Sequence, residues 1–217
     1  MILKELIKKI WFKAPWIIIK RHKYISKINK HKLTNNSFSI FCSNCIGGII
    51  YHNMNLQFQS PTINLWIKNK DFIKMMQNLE HYLESELVEV FDKTVKYPIG
   101  MIDDVLIHFN HYKSFNEANI KWNERKQRID FENLYFMLSD EGLSYDDIVA
   151  LENVRCKRLI IFTAKDYGLP YCFQLKKYQN KKHVGLYSVL DLNGLRPFEK
   201  EFNYILWLNG EDFYRYE

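Results

Sequence analysis

The sequence predicts an α/β fold: three layers, with a mostly parallel or mixed sheet flanked by helices and a basic amphipathic helical arm at the N terminus. Three observations lead there. Short apolar runs closed by turn residues alternate with segments of helical period, the pattern of strands joined by helices. Hydrophobic residues make up 47% of the 217 and aromatics 16%, enough for a core and enough to exclude a disordered chain. Charge is segregated: residues 1–32 hold ten Lys or Arg and one acid, a net of +9, and the remaining 21 bases and 24 acids leave the rest at −3. Gly 8 and Pro 5 are too few for a collagen-like or low-complexity chain. The length suits one domain with an appendage, so the expected division is an arm over 1–34 and a single α/β domain over 35–217.

In the arm, Leu3, Leu6, Ile7 and Ile10 follow the spacing of one helix face, with Lys4, Lys8, Lys9 and Lys13 mostly off it. Trp11 and Trp16 are amphipathic rings suited to a headgroup boundary, and Pro15 is expected to interrupt or kink the helix. The pattern fits a helix lying on an anionic membrane surface. Docking on the protein's own core or on a second subunit is the alternative. The longest apolar run here, 16–19, is far too short to span a bilayer, and no secretory signal is read. The formal charge of +6 taken whole suggests nucleic acid. Taken by segment, the mildly acidic body makes a poor phosphate-binding surface, and no nucleic-acid partner is expected. The expected location is the cytoplasm, peripheral to the inner membrane.

Along the body, Ser37–Cys42 reads as a strand, 43–48 as a polar glycine-containing turn, and Ile49–Met54 as a short helix. Ser60-Pro61 marks a turn before a strand over Thr62–Ile67. Asp71–Leu87 reads as one helix with Phe72, Met75, Met76, Leu79, Tyr82 and Leu83 on one side. Tyr97–Gly100 is a turn and Asp104–Asn110 a strand; Ser114 then stands three residues before Glu117, the capping-box spacing of a helix running to about Gln127. Asn133–Leu138 and Arg158–Thr163 are apolar runs of buried-strand type, with a helix starting at Asp146-Asp147 between them. The aromatic-rich C-terminal third is expected to add antiparallel edge strands such as Tyr204–Leu208.

Of the four cysteines, Cys42 and Cys45 form a lone C-x-x-C without the second close pair a structural zinc site needs. Cys45 is the more interesting thiol. It sits in Ser43-Asn44-Cys45-Ile46-Gly47-Gly48, at a strand end and before a helix, where ligands of α/β sheets bind and where helix N–H groups lower a thiol's pKa. The glycines permit close backbone approach, and N–H groups near Gly47 are candidates for holding an oxyanion. A second constellation is Asp103-Asp104 followed by His108-Phe109-Asn110-His111-Tyr112. His111 falls past the strand end, so Cys45 and His111 make a candidate nucleophile and base, with Asp104 or Asp140 orienting the imidazole. His108 and His111 would lie on opposite faces of a continuing strand, which weakens a metal reading. No cofactor is expected. A third constellation, Arg125 and Arg128 at i, i+3, is a candidate clamp for a diphosphate or acidic sugar.

Together these motifs have a recognisable order: Ser-Asn-Cys-x-Gly-Gly near residue 45, Ser60-Pro61, Tyr97-Pro98-Ile99-Gly100, His-Phe-x-His-Tyr at 108–112, and Lys121-Trp122-Asn123-x-Arg125-x-x-Arg128-Ile129. The sequence resembles a bacterial domain-of-unknown-function family, number nineteen-nineteen, over roughly residues 35–167. Members of that family are often encoded with exopolysaccharide and capsule biosynthesis enzymes. The resemblance implies an α/β protein of cell-surface polysaccharide biosynthesis and no established reaction. It adds Ser43, Asn44, Gly48, Ser60, His108, Tyr112 and Trp122 to Gly47, Arg125 and Arg128 as candidate substrate contacts. The layout is also distantly similar to papain-like cysteine hydrolases, which would make Cys45 the nucleophile and His111 the base. Ile46 stands where that family carries Trp, and the third triad member stays open between Asp104, Asn110 and Asp140. The expected activity is a Cys-dependent acyltransferase or hydrolase acting on a sugar or lipid-linked sugar. The alternatives are a non-catalytic membrane-associated scaffold and a sugar transferase.

Overall fold

The computed structural model describes residues 2–185 and 188–211, and the side chains of these from Pro15 onward. The predicted apolar face of Leu3, Leu6, Ile7 and Ile10, its flanking lysines 4, 8, 9 and 13, and Trp11 thus lie outside the described side chains. In order, the elements are α1 (Ile2–Lys32), β1 (Ser39–Cys42), α2 (Ile46–Met54), β2 (Trp66–Ile67), α3 (Asn69–Gln77) and α4 (Leu79–Glu84). There follow β3 (Leu87–Val90), β4 (Ile99–Ile102), β5 (Val105–His108), α5 (Phe115–Lys126), β6 (Leu134–Ser139) and α6 (Tyr145–Val149). The chain closes with β7 (Arg158–Thr163), β8 (Cys172–Gln174), α7 (Pro197–Glu201) and α8 (Tyr204–Leu208). It forms two compact units: residues 37–51 with 57–185, and residues 1–36 with 52–56 and 186–217.

The larger unit holds both sheets. One is parallel, in the order β1-β6-β7-β8, and the other antiparallel, in the order β2-β5-β4-β3. The parallel strands are the continuous apolar runs of the sequence. All six residues of β6 are buried, because a parallel strand flanked by crossovers faces protein on both sides. The antiparallel strands alternate instead. Leu87, Ile102, Val105 and Ile107 point into the core while Val88 and Met101 face out. One apolar cluster joins the sheets, with Phe41, Phe136 and Ile161 from the parallel sheet and Ile102, Val105 and Ile107 from the antiparallel one. Trp122 of α5 and Phe109 lie in the same cluster, their ring centroids 6.4 Å apart.

Several local expectations need correction. The predicted helix 71–87 is two helices, because Asn78 (φ −139°, ψ 51°) breaks the i→i−4 ladder, and Leu87 already belongs to β3. Residues 62–65 do not extend as a strand. Thr62 and Ser60 instead spend their side chains on local bonds, and Asn64 takes a left-handed φ of 59°. The turn at Tyr97–Gly100 is half strand, since Ile99 opens β4. The capping box at Ser114 is partial: its hydroxyl accepts from Glu117 N–H, but the Glu117 carboxylate reaches back to Lys113 N–H. Tyr204–Leu208 is helix, not edge strand, because the Asn203 side chain caps the Leu206 N–H. Among the described residues this third adds the edge strand β8, which pairs parallel to β7.

In the smaller unit, α1 runs through Pro15 without interruption. Asn209 closes its C terminus: the amide donates to Lys32 O (3.0 Å) and its oxygen accepts from Thr34 N–H (2.9 Å), satisfying groups a helix end leaves unpaired. The 191–195 turn lies directly on α1. Asp191 Oδ1 accepts from the N–H groups of Asn193 and Leu195, and this brings Gly194 (φ 79°) against the helix backbone. A Cβ there would meet His22 N at 2.7 Å and Ile18 O at 2.9 Å. Gly194→Ala therefore combines a forbidden φ with a backbone clash, and urea unfolding is expected to show a loss of about 2 kcal/mol or more. A loss below about 0.5 kcal/mol would contradict this packing.

Candidate active site

The parallel sheet's carboxyl edge organises the site. β1 ends at Cys42, and the chain turns through Ser43-Asn44-Cys45 into α2. The turn is an Asn-centred one: Asn44 Oδ1 accepts from the Ile46 N–H (3.0 Å) and from the Cys42 thiol (3.2 Å). The Cys45 carbonyl accepts from Ile49 N–H (3.0 Å), which makes Cys45 the residue that opens the helix. The two glycines serve packing rather than a ligand cradle. A Cβ on Gly47 would stand 3.1 Å from Ile40 Cγ2, and one on Gly48 would stand 2.7 Å from Asn64 Oδ1. They let α2 press on β1 and on the 60–65 loop.

His111 arrives from the other sheet. β5 ends at His108; Phe109 donates its N–H to Pro98 O (2.9 Å) and buries its ring against Tyr112 and Phe115. Tyr112 N–H then bonds to Phe109 O (3.0 Å), a tight turn that throws His111 clear of the strand. Its Nε2 lies 3.2 Å from Cys45 Sγ.

Arg125 fixes the geometry between these two loops. Arg125 is 7% exposed and, among the described residues, makes no ion pair. Its NH1 donates to Tyr112 Oη (2.5 Å) and Ile63 O (3.3 Å), and Tyr112 Oη also donates to Ile63 O (2.9 Å). The charge lies over the Phe58 ring, 5.0 Å from its centroid. Arg128 NH1 donates to Phe58 O at 3.4 Å, and its other amino group approaches Glu124 at 3.9 Å. Thr62 Oγ1 accepts from Cys42 N–H (3.0 Å), so the same loop braces the strand that carries the thiol.

Burial pushes the Cys45 thiol up from its ordinary value, against the lowering expected from its helix position alone. His111 Nε2 is the group in contact with this sulfur, at 3.2 Å. The other thiols are further out of reach of ionisation. Burial pushes Cys42 and Cys172 up to about 12 and Cys156 up to about 11. The Cys42 sulfur faces the N–H groups of Asn44, Gly47 and Ile46, so these amides do not converge on Cys45. Among the described residues the Cys45 N–H donates to no acceptor.

Not every sequence candidate is brought to this pair. Asp104 sits at the β4–β5 turn, bonded to Lys74 (2.8 Å) and Tyr82 (2.7 Å), which hold its carboxyl below the usual range; it does not orient His111. Asp140, at the end of β6, spends its oxygens on the Ala164 and Val184 N–H groups, both at 2.7 Å. Among the described residues, His111 Nδ1 has no hydrogen-bond partner, so the arrangement is a dyad. His108 packs on Trp66 (4.6 Å) and Tyr97, and burial, with Lys68 nearby, holds its pKa below the ordinary value. Ser60 and Trp122 are buried in structural roles, and Arg125 and Arg128 hold the loop rather than forming an open clamp. Ser43 is buried with its hydroxyl unpartnered among the described residues. Missed in the sequence were Phe58, Thr62 and Ile63. Only the Ser60-Pro61 turn signal marked their loop, and the bonds that Arg125, Tyr112 and Arg128 make to it go to the backbone carbonyls of Ile63 and Phe58.

The chain belongs to a family whose model, described as "Domain of unknown function (DUF1919)", matches residues 18–209. A protein from Haemophilus influenzae described as "Uncharacterized protein" is similar, 34% identical over 190 residues that cover 86% of this chain and 91% of its own length.

Because Arg125 is the shared fastening of the Ile63 and Tyr112 loops, Arg125→Lys, which loses the flat guanidinium seated over the Phe58 ring, is expected to lower stability to urea by about 1.5–3 kcal/mol. Tyr112→Phe, which removes one hydroxyl, is expected to cost about 1 kcal/mol. Equal and negligible losses in the two variants would show that the network fastens nothing.

Proposed function

We propose that this member of the DUF1919 family is a cysteine-dependent acyl-transfer enzyme of cell-surface polysaccharide biosynthesis, acting on a sugar or lipid-linked sugar at a membrane face. The observation that carries the reading is the 3.2 Å contact of Cys45 Sγ with His111 Nε2, at the first turn of α2 and the carboxyl end of β1. In the first half-reaction, His111 takes the thiol proton as the sulfur attacks an acyl carbonyl. The tetrahedral oxyanion is held by the Cys45 N–H; collapse breaks the bond to the leaving alkoxide, which takes the proton from His111. In the second, His111 takes a proton from a sugar hydroxyl or from water, and that oxygen attacks the thioester. The thiolate leaves and recovers the proton. A sugar acceptor makes the enzyme an acyltransferase and water makes it a hydrolase.

The polysaccharide setting rests on the resemblance carried by the motifs. The membrane setting rests on the +9 charge of residues 1–32 and on the exposure of Trp16 (69%) and Tyr24 (68%) on α1. No helix among the described residues is long and apolar enough to cross a membrane. The same two rings favour the second reading, a non-catalytic membrane-associated module of the assembly machinery, in which Cys45 does no chemistry.

Alkylation separates the two. Under the enzymatic reading, iodoacetamide at neutral pH labels Cys45 at least about tenfold faster than Cys42, Cys156 or Cys172, and His111→Ala removes that advantage. His111→Ala also slows acyl transfer by about 10²–10⁴-fold, and Cys45→Ala abolishes it. Unchanged polysaccharide acylation in a strain carrying Cys45→Ala would leave the scaffold reading standing.

A further inference from the structure

The smaller unit contains a cavity of about 500 Å³, within the range of about 300–1,000 Å³ typical of small-molecule sites. One wall is a face of α1. Ile19, Lys23, Lys27 and Lys30 recur at helical spacing, so three exposed lysines line one side of the hollow. Opposite stand Arg196, at the start of α7, and Leu190. Among the described residues no Asp or Glu lines the cavity and none of the three lysines has an ion-pair partner. Three uncompensated cations around one concavity repel one another, and an anion placed between them removes that repulsion.

The floor is built. Arg196 is bound to Glu199 (3.1 Å), with their side chains 13% and 3% exposed, which neutralises this cation and aims it. Its NH1 also lies 3.2 Å from His22 Nε2, and its Nε is buried without a partner among the described residues. His22 is in turn fixed from both ring nitrogens, to Gly194 O (2.9 Å) and Asn53 Oδ1 (3.0 Å). Asn53 Nδ2 donates to Glu199 Oε1 at 2.9 Å, closing the network. The close seat of Gly194 on α1 therefore has a use: it brings the 190–196 segment near enough to complete the wall.

We propose that this cavity binds a phosphate or diphosphate ester, its anionic oxygens held by Lys23, Lys27 and Lys30 and its apolar substituent lying against Ile19 and Leu190. Lysines suit a multiply charged, freely oriented phosphate as point charges that need no fixed fork. The two apolar side chains distinguish the ligand from inorganic phosphate. The site is independent of Cys45 and stands whether or not that thiol is catalytic.

The test uses the full chain and two probes: inorganic pyrophosphate by calorimetry, and phosphatidylcholine vesicles with and without phosphatidic acid by co-sedimentation. The site variant is Lys23→Gln/Lys27→Gln/Lys30→Gln. A charge-matched control, Lys93→Gln/Lys96→Gln/Lys113→Gln, removes three exposed lysines of the larger unit. Circular dichroism confirms that both fold. Pyrophosphate binding weakened at least about tenfold in the site variant, and not in the control, supports a site open to soluble phosphates. The same selective loss seen only with phosphatidic acid vesicles supports a lipid source. Binding of neither probe, or equal losses in site variant and control, would overturn the proposal.

Discussion

The site depends on one buried cation, Arg125. Arg125 is buried without an ion pair among the described residues, an arrangement that costs several kcal/mol unless its hydrogens find acceptors. They find Ile63 O and Tyr112 Oη, and the face of Phe58 takes up part of the charge. Those acceptors belong to two different loops, one beside the thiol strand and one carrying His111. One guanidinium nitrogen, NH1, bridges them because it carries two hydrogens, while the flat group rests on the Phe58 ring. Once it is in place, the loops cannot move apart without stranding it. Arg125 thus positions the Cys45–His111 pair without touching either member.

This role explains which parts of the site were legible in the sequence. Cys45 and His111 could be read because each follows from local logic: a thiol where a strand turns into a helix, and a histidine just past a strand end. The partners that fix them are backbone carbonyls and a buried ring, which leave no residue-type signature. Arg125 and Arg128 were visible as an i, i+3 pair. Their use was not, since an exposed clamp and a buried fastening share one spacing. Asp104 looked suitable by proximity in sequence, but a two-stranded hairpin puts its turn at the end of β5 opposite to His111.

The fold was legible to a similar depth. β6 and β7 announced themselves as unbroken apolar runs, because strands buried on both faces need no alternation. The antiparallel sheet was harder. β3 and β4 are four residues each, Glu89 and Gly100 interrupt them, and the β4 start is hidden in a Tyr-Pro-Ile-Gly segment that reads as a turn. Asn78 split a helix whose apolar stripe continues through it. At the C terminus, Tyr204–Leu208 has a composition suited to either strand or helix, and a single asparagine cap decides it. Glycines that looked like ligand cradles mark places where backbone meets a neighbouring element at close range.

The most direct measurement is to trap the acyl-enzyme. The full-length protein is mixed briefly with an activated acyl ester such as p-nitrophenyl acetate, quenched in acid, and mapped by peptide mass spectrometry. One stoichiometric acetyl group is expected on the peptide that carries Cys45, attached at the sulfur and absent from His111→Ala within the same interval. Acetylation confined to lysines, or identical labelling of Cys45 in the presence and absence of His111, would contradict it.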